Sequence, residues 1–257
     1  YASKAFPDAQ GEGVLFGWIR ETDPDAASRG WQGVMSVPRI IGYDEEMEVL
    51  SQIPHPDVFV HRKHTLVNIS SLDASSGWIP LNVSDTSVVI DADVIIPSEN
   101  GEMCNVGVFA SANGTIQTTI TVRTEAERPP QQNCLLNAST SLPLRTISNT
   151  SPSQCHDAMV ADKRAFSFLH TPSSCTLFPT RLTPSPTTNT SCTSGASGAI
   201  LVGTDTSRSG GSGSLAPEEY PFPGATKGNR LHLTIFVDNS VVETFFGEIL
   251  TATARAY

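Results

Sequence analysis

The stretch from Leu231 to Phe246, LHLTIFVDNSVVETFF, constrains this chain more than any other. Two runs of alternating apolar and polar residues flank Asp238-Asn239-Ser240, the signature of an antiparallel β-hairpin with a short turn. With Asn239 and Ser240 as the loop, opposed positions keep a constant sum, so Asp238 pairs with Val241, Val237 with Val242 and Phe236 with Glu243. That register sorts the faces. Leu231, Leu233, Ile235, Val237, Val242 and Phe246 share an apolar side of the kind that packs against a second sheet. His232, Thr234, Phe236, Asp238, Val241, Glu243 and Phe245 share the other, a mixture that suits partial cover rather than full hydration.

A hairpin of this type needs a large β context, and 257 residues supply it. Charged residues make up only 16% of the chain while Ser, Thr, Gly and Pro are abundant, which favours an all-β protein with many turns. A net charge of -10 argues against nucleic acid or an anionic membrane as partner, since both attract basic surfaces. No apolar run approaches membrane-spanning length, and Tyr1 does not open a signal-peptide pattern, although a signal removed during maturation fits the remaining features.

Those features point outside the cell. Six N-x-S/T sequons, at Asn68, Asn82, Asn113, Asn137, Asn149 and Asn189, predict a secreted, extracellular or cell-wall glycoprotein. The five cysteines fit the same compartment. Cys104 shares its parity with Val106, Val108 and Ala110 in the apparent strand MCNVGVFA and reads as a buried thiol. Cys134, Cys155, Cys175 and Cys192 are then left to pair among themselves, with three connectivities that sequence leaves open.

Along the chain, YASKAF, VLFGWIRE and QGVMSVPRIIGY are strand-like runs separated by turn compositions. Glu45 to Val58 is acidic, locally helical in pattern, broken by Pro54 and Pro56, and reads as a linker. Ile90, Ala92, Val94 and Ile96 alternate with Asp91 and Asp93 in a half-buried strand, and NVGVFASANGTIQTTITVR reads as a hairpin about Ala112-Asn113-Gly114. Thr124 to Ser197 is rich in Ser, Thr, Pro and Asn. MVADKRAFSFL inside it suits a short helix or a strand, and a loop of this length requires staples such as disulfides.

Five groups of residues resemble one family. Y-A-S-K (Tyr1 to Lys4), G-W-x-x-E-x-D (Gly17, Trp18, Glu21, Asp23) and G-W-x-G-x-x-S-V-P-R (Gly30 to Arg39) resemble the last blade region of the five-bladed propeller in glycoside hydrolase family 32, the invertases, inulinases and fructan hydrolases. D-x-S-x-x-E-x-F (Asp238, Ser240, Glu243, Phe245) resembles the last hairpin of that family's C-terminal sandwich, and T-D-T-S-R-S resembles the D-x-S-R-S preceding it. The resemblance implies a partial last blade over residues 1–44, a linker over 45–58 and a two-layer antiparallel β-sandwich over 59–257. Against the family pattern, about 124–197 is an insertion. The family's catalytic motifs, N-D-P-N-G, R-D-P and a glutamate beside a cysteine, find no match, so the chain is expected to be a C-terminal piece without catalytic carboxylates and inactive alone.

Glycoside hydrolysis needs two carboxyl groups facing one bond, about 5 Å apart for retention and roughly 6.5 to 9.5 Å for inversion. Asp238 and Glu243 lie diagonally on one face of the hairpin, but a turn cap for Asp238 and a cation or backbone donor for Glu243 explain them better. The resemblance places Trp31 near the sugar pocket, where stacking on a sugar competes with packing between blades, and adds Tyr1 as a second substrate-facing candidate. Trp18 alternates with Phe16 and reads as core, and Trp78 is assigned no ligand. His61 and His64 in HRKH form a solvated basic turn; no metal site and no cofactor are expected. By resemblance the whole enzyme is a retaining β-fructofuranosidase acting on sucrose or a fructan, its partners being that substrate and the upstream propeller. The competing reading is a non-catalytic sandwich that binds carbohydrate or forms a homodimer.

Overall fold

The computed structural model describes residues 2–20, 30, 32–73, 77–83, 85–109, 117–126, 128–131, 145–162, 167–171, 174–178, 193–196, 199–208, 218–225 and 227–255. Tyr1, Trp31, Asn113, Asn137, Asn189, Cys134, Cys192 and the Ala112-Asn113-Gly114 tip lie outside them. The chain is all-β apart from two short helices among the described residues.

Strands β1 (Lys4–Pro7), β2 (Gly13–Phe16), β5 (Arg39–Asp44) and β6 (Val49–Pro54) form an antiparallel sheet in the order β1-β2-β5-β6, and β3 (Trp18–Ile19) pairs with β4 (Val34–Met35) as a small ribbon. Local chemistry sets these turns. Asp8 Oδ1 accepts the N–H groups of Gln10 and Glu12, both at 2.8 Å, closing the β1–β2 connection. The spacing of G-W…G-x-x-S has a packing cause. Ser36 Oγ accepts the Gly17 N–H at 2.8 Å, while a Cβ on Gly33 (φ +98°) would stand 2.5 Å from Trp18 Nε1 and 2.6 Å from the Ile19 oxygen.

The helical pattern expected over Glu45 to Val58 is corrected. Val49–Pro54 is strand β6, in register with β5 from Arg39↔Pro54 to Asp44↔Val49. A 3₁₀ helix, Pro56–His61, follows. The i, i+3 spacing of Met47 and Leu50 loses to the six backbone pairs that β5 offers.

The sandwich has the two layers expected. One sheet runs β19 (Leu250–Arg255), β18 (Val241–Phe246), β17 (Arg230–Asp238), β7 (Ser87–Ile95); the other runs β16 (Glu218–Pro221), β15 (Ala199–Arg208), β9 (Gln117–Glu125), β8 (Met103–Phe109). The β17–β18 register is the constant-sum one, with Asp238↔Val241, Val237↔Val242 and Phe236↔Glu243. Asn239 takes the left-handed conformation (φ 50°) that the turn demands. Leu231, Leu233, Ile235, Val242 and Phe246 are buried against Ile120, Val122, Ile200 and Val202 of the facing sheet, with Val237 at the margin. Val94 and Ile96 join this core while Asp91 and Asp93 point to water. Cys104 is a free thiol, half-buried against the core rather than fully enclosed, because it lies on β8 at the sheet edge. Burial raises its pKa.

The insertion has more structure than its composition suggests. β10 (Arg128–Gln131), β11 (Arg145–Ser148), β12 (Ser167–Thr171), β13 (Ser174–Phe178) and β14 (Thr193–Ala196) form a sheet in the order β10-β14-β12-β13-β11. Helix α1 (Pro152–Ala161) packs on it, opened by a capping box in which Ser151 and Gln154 exchange hydrogen bonds of 3.2 and 2.8 Å. MVADKRAFSFL thus supplies both the end of α1 and the start of β12. Cys155 and Cys175 form a disulfide, which removes one of the open questions of pairing, and with Met159 and Leu177 they make a small separate core. β9 and β15 pair directly at Glu125↔Ala199, so the insertion hangs from the end of that pair without interrupting the sandwich.

Candidate functional site at the seam

The mixed face of the terminal hairpin is covered by the first sheet and by the helix that follows it. Glu243 lies at its centre, 1% exposed, opposite Phe236 on β17 and Thr253 on β19. Val37 N–H donates to Glu243 Oε1 at 2.6 Å and Arg39 Nη2 donates to Oε2 at 2.9 Å, while the Thr253 side chain adds a further hydrogen bond. Val37 and Arg39 flank Pro38, which keeps this segment extended and presents its donors to one side. Burial pushes the Glu243 carboxyl above its ordinary value, and the Val37 N–H, Arg39 and Thr253 pull it back only in part.

Arg39, whose side chain is 11% exposed, anchors the other side of the contact. Its Nη1 donates to Gln52 Oε1 at 3.0 Å and its guanidinium lies 5.6 Å from the Phe245 ring centroid. From Phe245 an aromatic row continues to Phe236 (5.9 Å, edge-on) and Phe59 (5.7 Å). Arg62 lies 4.2 Å over Phe59 and donates to Asp91 Oδ2 at 2.7 Å. The Gln52 N–H donates to the Glu248 carbonyl at 2.6 Å, joining β6 to the β18–β19 turn.

This arrangement positions; it does not hydrolyse. Both Glu243 oxygens are occupied by donors and the group is shut from solvent, so it has no access to a glycosidic bond. Asp238 is exposed at the hairpin tip, where Asn239 Nδ2 donates to it at 3.0 Å. The expectation of a cation or backbone donor for Glu243 holds, whereas Asp238 beside the turn accepts from the Asn239 side chain rather than from a backbone N–H of the turn.

Of the other sequence candidates, Asn68, Asn82 and Asn149 are exposed. Trp18 is half-buried in β3, and Trp78 is 55% exposed in the irregular stretch before β7. Among the described residues no three His, Cys, Asp or Glu side chains gather as metal ligands, and no helix is long and apolar enough to cross a membrane. Sequence reasoning missed Val37, Arg39 and Arg62 as seam residues. The V-P-R triplet was the available signal, though nothing in it names a partner two hundred positions away.

Comparison with known proteins agrees with this geometry. The family model "Glycosyl hydrolases family 32 N-terminal domain" matches residues 1–54 and "Glycosyl hydrolases family 32 C terminal" matches residues 59–257. An acid beta-fructofuranosidase of Solanum lycopersicum is 49% identical over 97 residues, 36% of this chain and 15% of that protein. A fructan 1-exohydrolase of Bromus pictus is 36% identical over 80 residues, 30% of this chain and 13% of that protein. The crystal structure of exo-inulinase from Aspergillus awamori superposes over 100% of this chain and 37% of its own, with a TM-score of 0.57 at 16% identity, a likeness of fold. The chain therefore spans a small fraction of the length of the relatives it matches. With its terminal hairpin in the expected register and both family models matched in order, the chain belongs to glycosyl hydrolase family 32.

Proposed function

We propose that this chain is the C-terminal part of a secreted β-fructofuranosidase that removes terminal fructosyl units from sucrose or a fructan with retention. The observation that carries the reading is the order of the two family matches, with the Glu243 contact lying across their junction. The reacting carboxylates belong to upstream segments outside these residues. The sandwich and first sheet act as a support: Glu243 and Arg39 fix the V-P-R segment, which follows β4 and Ser36 directly. Trp31 and Tyr1 are the substrate-facing candidates, with the division between the two parts falling within residues 45–58, after β6.

Exposure of Asn68, Asn82 and Asn149 supports N-glycosylation there, and the Cys155–Cys175 disulfide supports an oxidising compartment. Endoglycosidase treatment of the secreted protein is expected to lower its mass. The activity test compares fructose release from sucrose and from inulin by this chain alone and by the longer protein that contains it. The longer protein is expected to release fructose and this chain alone none. Turnover by the chain alone, or no fructose from the longer protein with either substrate, overturns the reading.

A further inference from the structure

His55 stands between the last residue matched by the N-terminal family model and the first matched by the C-terminal one. It joins three elements. Its N–H donates to the Pro38 carbonyl at 2.8 Å, its Nδ1 accepts the Asp57 N–H at 3.2 Å, and its Nε2 lies 3.7 Å from Asp8 Oδ2. Because Nδ1 is an acceptor, the proton of the neutral ring resides on Nε2, on the side of Asp8. Asp8 has spent Oδ1 on the Gln10 and Glu12 N–H groups, which leaves Oδ2 for the ring. Asp57 brings a second carboxylate, its Oδ2 being 3.7 Å from Nδ1. The His55 side chain is 17% exposed, so solvent reaches the ring without flooding the contact.

We propose that His55 is an acid-responsive switch at the junction between the first sheet and the sandwich. A proton taken from water adds to the Nδ1 lone pair; no other covalent bond forms or breaks. Nδ1 then ceases to accept the Asp57 N–H and donates toward the Asp57 carboxylate instead, while Nε2–H continues to face Asp8. A backbone cap is exchanged for an imidazolium held between two carboxylates. The charged groups facing the ring are Asp8 from the β1–β2 turn and Asp57 from the helix, and the Pro38 segment contributes backbone only. Burial works to raise the Asp8 pKa, but the Glu12 and Gln10 N–H groups and His55 outweigh it and hold it low, so the partner stays ionised in acid. The helix capped by His55 carries Phe59 onto Phe236 and lies directly before Arg62, which is paired with Asp91. Loosening its first turn changes that end of the seam and leaves the Glu243 contact in place. The inference is independent of the sugar chemistry proposed above.

Amide hydrogen exchange of the whole chain tests it, with His55→Asn and Asp8→Asn as variants. Asparagine keeps a good cap acceptor but does not titrate. After correction for intrinsic rates, the Asp57 amide of the wild type is expected to lose protection about tenfold between about pH 7.5 and about pH 5, the range in which imidazole side chains change charge. His55→Asn is expected to show no such loss, and Asp8→Asn, which removes one of the two carboxylates facing the ring, a smaller one. Equal behaviour of wild type and His55→Asn, or constant protection in the wild type, overturns the proposal. If His55→Asn loses protection in β17 and β18 as well, Asp8→Asn decides alone: a wild-type pH dependence in that variant overturns it.

Discussion

Replacing Glu243 by alanine removes the carboxylate that receives Val37 N–H at 2.6 Å and Arg39 Nη2 at 2.9 Å. It leaves a half-buried N–H without its acceptor and a cation with one partner fewer. Removing one member of a buried ion pair costs about 3 to 5 kcal/mol, and hydrogen bonds to charged groups about 1.5 to 3 kcal/mol each. Arg39 is not stranded, since Gln52 Oε1 at 3.0 Å and the Phe245 ring remain. The lower end therefore applies, and Glu243→Ala is expected to cost about 3 kcal/mol. Glu243→Gln keeps the volume and one acceptor and is expected to cost about 1 kcal/mol. Urea unfolding of the wild type, Glu243→Ala, Arg39→Met and the double variant measures the coupling, expected at about 2 kcal/mol. A coupling below about 0.5 kcal/mol would refute the seam as a source of stability.

The pH dependence of the same residue follows from its raised carboxyl. Stability contributed by a group of this kind is complete below the ordinary glutamate value, about 4.3, and is lost as pH rises through the higher folded-state value. The urea midpoints of wild type and Glu243→Gln should accordingly draw together as pH rises; a gap that widens contradicts the assignment. The Cys155–Cys175 bridge closes a loop of sequence separation 20, for which chain entropy gives about 3 kcal/mol. Paired serine replacement should therefore make the insertion open to proteolysis while the β17–β18 amides stay protected; equal loss in both places refutes its independence. A Cβ on Gly203 would collide with the Glu218 carbonyl oxygen on β16. Gly203→Ala should cost about 3 kcal/mol, a fall in Tm of about 6 to 12 °C by calorimetry, and an unchanged Tm contradicts the close approach.

The terminal hairpin was legible because period-2 alternation and a two-residue turn together fix register, and register fixes faces. Leu233, Ile235, Val242 and Phe246 are buried for that reason. Glu243 was legible only as a residue in want of a donor. Its partner, Arg39, lies 204 positions away, and a period-2 pattern carries no information about which distant strand covers a mixed face. The sheet of the insertion was not legible because it has so little apolar material. Cys155, Met159, Cys175 and Leu177 form the buried cluster, half of it a cystine, and short Ser/Thr-rich strands resemble loops in composition. The helical pattern within Glu45 to Val58 failed in the opposite way, a local spacing overruled by a strand waiting to be paired.

The claim on which the rest depends is that the first sheet is held on the sandwich through Glu243. The exchange rate of the Val37 amide in the native chain tests it most directly, since this N–H has a side-chain carboxylate on another domain as its acceptor. The amide is expected to exchange as slowly as those of Phe236 and Phe245 in the hairpin, and to become fast in Glu243→Ala while the hairpin amides stay slow. Wild-type exchange as fast as at exposed β1 would mean that the two parts are not joined there.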